Sequence, residues 1–204
     1  MSEAIDYIKS MEHGIIIAVG SGKQGKSCSL HSLIAYCWPD RPVFMLDTLE
    51  YDVSIFPGYS LVSKTSDIPI GAVVVVEDVN RLFQSRGSSK RTDLQGWLSI
   101  ISHKSITVCI TTQNLADTDI AFLRSQDAVI FHKMMHQEDL NFERPEFRMN
   151  QAMANYWIER FNNAYPLIDR RAWCFFPRFS ECIAVPKVSW WTYQNSHMFR
   201  EVSI

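Results

Sequence analysis

Residues 20 to 27 read GSGKQGKS, with Gly20 and Gly25 five positions apart and Lys26 and Ser27 directly behind the second glycine. That is the G-x-x-x-x-G-K-S spacing of a phosphate-binding P-loop, in which successive backbone N–H groups converge on an anion. The lysine of such a loop reaches the β and γ phosphates, and the hydroxyl reaches Mg²⁺. Gly20, Ser21, Gly22, Lys23, Gln24, Gly25, Lys26, Ser27 and Cys28 are therefore the expected nucleotide-binding residues, with Lys26 on the phosphates and Ser27 on the metal. Lys23 either adds a phosphate contact or stays solvated.

Such a loop works only between a strand and a helix, and both are written into its flanks. Ile15 to Val19 is a continuously apolar, β-branched run, the pattern of a strand buried on both faces of a parallel sheet. Behind the loop, Leu30, Leu33, Ile34, Cys37 and Trp38 recur at helical spacing until Pro39 stops the helix. The helix N-terminus then adds its partial positive charge where the phosphates would sit.

A second strand carries acids to the same edge. In GAVVVVEDVN, residues 71 to 80, four valines precede Glu77 and Asp78, the form of a Walker B element. Magnesium needs an acidic partner and an attacking water needs a base, so two neighbouring carboxylates have two tasks. By position Glu77 is assigned to the metal and Asp78 to the water. The usual order is Asp then Glu, so the division of labour between the two stays open. ITVCITTQN, residues 106 to 114, is a third buried strand with a polar tip. Where such a strand lies between the P-loop and Walker B strands of an ATPase, its tip touches the γ-phosphate or the attacking water. Gln113 is the candidate, with Thr112 and Asn114 behind it, against the alternative of a plain polar turn. RPVFMLDTLEYD, residues 41 to 52, is a strand ending at Asp47, with Glu50 and Tyr51 beyond.

A chain of 204 residues suits one α/β domain with a full core, or one domain with a small appendage. Hydrophobic content of 47% argues against disorder. No run approaches the roughly 18 apolar residues of a membrane span, and MSEAIDYIKSMEHG carries acids where a secretory signal is basic and then apolar. A soluble, intracellular protein is expected. The five cysteines form no C-x-x-C pair or metal cluster and suit reduced core thiols, with a Cys174–Cys182 bridge as the alternative. A net charge of −2 excludes a global attraction to nucleic acid, so any DNA contact must be local.

Taken together, GSGKQGKS, the strand ending before Glu50 and Tyr51, VVVVED and ITTQN resemble the FtsK/HerA superfamily of DNA-pumping ATPases. In order, size and motifs they resemble its viral genome-packaging ATPases, among them the packaging NTPases of archaeal turreted icosahedral viruses. The resemblance covers roughly residues 12 to 133. It implies a RecA-like α/β P-loop NTPase with a mostly parallel central sheet flanked by helices, and a small C-terminal extension over about 149 to 204 on a single domain. It implies ATP and Mg²⁺ as cofactors and catalytic work by Lys26, Glu77, Asp78 and Gln113. Glu50 would orient water, or else serve as a cap or surface residue. It also implies a homo-oligomeric ring of about six subunits, double-stranded DNA as cargo, a preformed capsid vertex as partner, and a place in the host cell cytoplasm or with the virion.

Directly after Walker B, RLFQSRGSSKR (81 to 91) holds four positive charges and no negative one. In a ring, Arg86, Lys90 and Arg91 would line the pore against the phosphate backbone without reading sequence; an ordinary solvated loop is the alternative. For the arginine that enters a neighbour's site, Arg124 is the first choice, with Arg81, Arg86 and Arg91 behind it.

The last seventy or so residues are written less plainly. Residues 149 to 165 have helical periodicity, with Met153, Tyr156, Trp157 and Phe161 as the expected core stripe. Residues 171 to 193 suggest one or two strands or a hairpin. Trp190, Trp191 and Tyr193 are expected to pack on the sheet, with contacts to a base, a neighbour or the capsid as alternatives. A small P-loop kinase is the competing function, though no arginine-rich lid or acceptor pocket is evident. A GTPase would carry N-K-x-D, which is absent, and a noncatalytic nucleotide-binding module is the remaining class.

Overall fold

The fold is that of a computed structural model, which describes residues 2–46, 53–79, 99–118, 120–124, 128–164, 171–175, 180–184 and 187–192. Its centre is a sheet of β1 (Gly14–Val19), β2 (Val43–Leu46), β3 (Tyr59–Val62), β4 (Val73–Val76), β5 (Thr107–Thr112), β6 (Ala128–His132), β7 (Arg171–Phe175) and β8 (Ser180–Ala184). The spatial order is β3-β2-β4-β5-β1-β6-β7-β8. The first six strands in chain order are mutually parallel, and β7 and β8 join antiparallel at the β6 edge. This is the expected RecA-like α/β architecture with a small C-terminal addition.

The helices are α1 (Glu3–Ser10), α2 (Lys26–Cys37), α3 (Ile120–Leu123), α4 (Gln137–Phe142) and α5 (Pro145–Ala164), and residues 99–103 are helical too. Helices on both faces explain why β1 and β4 read as unbroken apolar runs rather than alternating ones. Ile16, Ala18, Val73 and Val75 face α1 and α2, whereas Ile15, Ile17, Val19, Val74 and Val76 face a second core that includes Phe122 of α3 and Leu140 of α4. Each of these side chains larger than alanine contributes about 1.5–3 kcal/mol on burial. At the edge away from the strand tips, Arg41 binds the carbonyls of Gly71 (2.7 Å), Ala72 (2.9 Å) and Ser105 (3.2 Å) and the Thr107 hydroxyl (3.0 Å). One cation thereby ties the entrances of β4 and β5 together.

The strand following the P-loop helix ends at Leu46, and Asp47, Glu50 and Tyr51 lie outside the described residues. So do Arg81, Arg86, Lys90, Arg91 and Tyr193. The C-terminal strands form a hairpin, in which Trp173, not Cys174, is the register partner of Cys182. Trp191 is buried and Trp190 packs beside it in the core that faces α2, the use expected of them.

The predicted core stripe of α5 is corrected. Met153, Tyr156 and Trp157 are 38%, 52% and 44% exposed, Phe161 is half-buried, and the inward face is Gln151, Ala154 and Ile158. The reason is polar. Beyond β6, Lys133 N and the Met134 carbonyl still bond Val19 and Ser21, and α5 supplies amides to the backbone groups left over. Gln151 donates to the Lys133 carbonyl (2.9 Å), while Asn155 bonds both the N–H and the carbonyl of Met135 (3.0 and 2.8 Å). Unpaired buried backbone groups cost enough to decide which face turns inward, and an apolar count cannot see them.

Candidate nucleotide-binding site

Parallel register brings the chemistry to one edge. Val19 is paired with Thr112 on one side and His132 on the other, so Gly20, Gln113 and Lys133 leave three adjacent strands at one level. Ligands of open α/β sheets bind outside such carboxyl ends. The loop passes so close to β6 that a Cβ on Gly20 would lie 2.9 Å from both Lys133 Cβ and the Met134 carbonyl, and Gly20 itself has φ +150°. Lys23 (φ 64°) and Gly25 (φ 73°) take left-handed conformations that curl the backbone before α2 begins at Lys26.

Lys26 folds over this curl, its Nζ donating to the carbonyls of Gly20 (2.8 Å) and Ser21 (2.9 Å). Burial pushes its pKa down, against the attraction of Glu77, Asp78 and Asp139. Ser27 donates from Oγ to Glu77 Oε2 (2.8 Å), and Thr111 donates to the same oxygen (2.6 Å). His31, one turn along α2 from Ser27, meets Glu77 Oε1 at 3.0 Å. Burial alone would raise the Glu77 carboxyl; the hydrogen bond and charge of His31, with the Thr111 and Ser27 bonds, outweigh it and hold the group below the ordinary carboxylate range.

The neighbouring acid is placed differently. Asp78 is half-buried, in a left-handed conformation (φ 52°), with its N–H donating to Thr111 Oγ1 at 2.9 Å. The Thr111 hydroxyl thus links both acids. Gln113 is exposed at the tip of β5, and Asn114 behind it is buried, accepting from Ala116 N (2.6 Å) and donating to the Asp139 carbonyl (3.2 Å). Arg124 is exposed at the end of α3 and makes no hydrogen bond to the loop among the described residues.

On the β6 side, Ser21 donates from Oγ to the Asp139 carboxylate. The Ser21 hydroxyl accepts from His136 N (2.7 Å), and Ser21 N donates to the Met134 carbonyl (3.0 Å). The sequence reading missed His31, Thr111 and Asp139. Two of them left a trace: His31 stands four residues after Ser27 on one helix face, and Thr111 stands two before Gln113 on its strand. Asp139 left none.

The donor set fits magnesium. Ser27 and Glu77 offer hard oxygens side by side. That matches an ion that uses one or two protein oxygens and takes others from phosphate.

No family model and no curated protein matches this sequence. Solved structures do match. The genome packaging NTPase B204 of Sulfolobus turreted icosahedral virus 2, solved with ATPγS, aligns with 88% of this chain and 99% of its own at TM-score 0.53 and 10% identity. The same protein with sulfate gives TM-score 0.54 and 13% identity over 87% of this chain and 98% of its own. The DNA-packaging ATPase B204 of Sulfolobus turreted icosahedral virus gives TM-score 0.51 and 11% identity over 87% and 98%. The chain has their fold. In this chain β5 lies between β1 and β4, the position expected of it. Among the described residues no helix is long and apolar enough to cross a membrane.

Proposed function

We propose that the chain is an ATP-hydrolysing motor that moves double-stranded DNA into a viral capsid. The observation that carries this is the convergence of Lys26, Ser27 and Glu77 at one sheet edge, in a fold matched along most of its length by packaging ATPases. Lys26 turns from its loop carbonyls to the β and γ phosphates, and the P-loop N–H groups cradle them. Ser27 and Glu77 hold Mg²⁺, which when bound offsets phosphate charge. Asp78, less enclosed than Glu77, takes the attacking water, and exposed Gln113 faces the γ-phosphate.

The wider assembly belongs to the same proposal. The chain acts as one ATPase domain with its core at about 12 to 133, and subunits close into a homo-oligomeric ring, a hexamer, at the capsid vertex in the host cytoplasm. There Arg124 serves a neighbour's site, Glu50 orients water, and Arg86, Lys90 and Arg91 track the DNA backbone. The deciding experiment is steady-state phosphate release with and without double-stranded DNA, run beside an assay for phosphoryl transfer to nucleosides. DNA-stimulated hydrolysis is expected. Transfer to a nucleoside would replace the motor with a kinase.

A further inference from the structure

Resting on that proposal, we infer that His31 is a positioning residue for the nucleotide-bound metal: it fixes the plane of the Glu77 carboxylate, so that one oxygen stays beside Ser27. Glu77 accepts from three side chains, Ser27 and Thr111 on Oε2 and His31 on Oε1. A carboxylate free to turn about its last bond would swing its oxygens off these donors. His31 prevents it by holding Oε1, so Oε2 stays beside the Ser27 hydroxyl.

The ring is built to do this. A carboxylate only accepts, so Nε2 must carry the proton shared with Glu77. Nδ1 lies 3.0 Å from the Tyr59 hydroxyl, which holds the other end of the ring. The imidazole is fully buried. Its ring centroid lies 5.0 Å from Phe56, 5.4 Å from Tyr59, 5.3 Å from Trp191 and 6.0 Å from Trp190. Such a cage could be filled at least as well by phenylalanine, with no polar atom to satisfy. What phenylalanine lacks is the donor that the buried carboxylate needs. Groups that orient a metal's ligands in this way are worth about 10- to 100-fold in metal affinity or activity.

The full-length chain carrying His31→Phe tests this. The Mg²⁺ concentration for half-maximal ATP turnover should rise about 10- to 100-fold, while binding of a fluorescent ATP analogue in EDTA stays unchanged. His31→Gln, which keeps a donor, should recover part of the loss. A lowered melting temperature with an unchanged Mg²⁺ dependence would reduce His31 to packing and overturn the inference. Should His31→Phe not fold, ring-nitrogen NMR of the unsubstituted protein decides, with a protonated Nε2 expected and a bare Nε2 overturning it. Absence of ATP turnover in the unsubstituted chain would sink the motor instead. In that event the Mg²⁺ dependence of analogue binding and the Nε2 proton still decide the role of His31.

Discussion

The P-loop is gripped from two sides by unlike means. On the β4–β5 side, Ser27 at the start of α2 is tied to Glu77, a buried carboxylate with three side-chain donors. On the β6 side, Ser21 near the loop's entrance is tied to Asp139, a half-buried carboxylate on the short α4. A desolvated and fully bonded acid cannot trade its partners for water without large cost, whereas a half-buried one can. The difference teaches where rigidity would be needed: on the proposed function the inner grip would set the geometry of the chemistry, and the outer grip would only steady the loop.

The inner side contains both acids, and separating them should produce the largest effect. Asp78→Asn should lower ATP turnover by about 10²-fold or more while analogue binding persists, as expected for loss of a base. If Glu77→Gln does this and Asp78→Asn does not, the division of labour is inverted. The next effect is on stability. Glu77→Ala strands the Ser27, Thr111 and His31 donors in a buried site and should cost about 3–5 kcal/mol. Each kcal/mol is worth about 2–4 °C in a domain of this size, so thermal melting reads it directly.

Much of the inner grip was legible because it sits at the ends of patterned elements. Four valines before Glu77 and five apolar residues before Gly20 predict buried parallel strands, and parallel strands deliver their tips to one edge. The outer grip was not legible. Asp139 lies 118 positions from Ser21 and is brought there by the α4 turn, for which no apolar repeat or motif gives notice. The same limit hid β3, a sheet-edge strand exposed at Ser60 and Leu61, and reversed the inward face of α5, where Gln151 and Asn155 answer backbone demands. Hydrophobic period finds apolar faces. It misses polar side chains whose partners are the main chain.

Acid should separate the two sides by pH. His132, on β6, is buried with Nδ1 2.6 Å from Gln151 Oε1 and Nε2 unpartnered among the described residues. Burial pulls its pKa from 6.5 to about 4, a pull that the Gln151 bond opposes. The folded state therefore binds its proton later than the unfolded chain, so stability is intact above about pH 6.5 and falls on the way to about pH 4. The loss totals about 3 kcal/mol. Glu77 is depressed below 4.5, so its contribution is lost only at lower pH still. Chemical denaturation from pH 7 to 4 should show the first loss, and His132→Gln should flatten it. An equal slope in that variant would move the acid sensitivity elsewhere.

The smallest effect tests the outer grip. Asp139→Ala removes the acceptor of the Ser21 hydroxyl, but the hydroxyl keeps its bond from His136 N. The cost should be about 1 kcal/mol, or a melting shift of about 2–4 °C. Charge adds a second term of opposite sign. Asp139 attracts Lys26 and by the same field repels a phosphate placed on the loop. Asp139→Asn, which keeps an acceptor and drops the charge, should cost less stability than Asp139→Ala and bind the fluorescent ATP analogue no more weakly than the unsubstituted chain. A melting shift for Asp139→Ala as large as that for Glu77→Ala would show that both grips carry equal weight and that enclosure does not distinguish them.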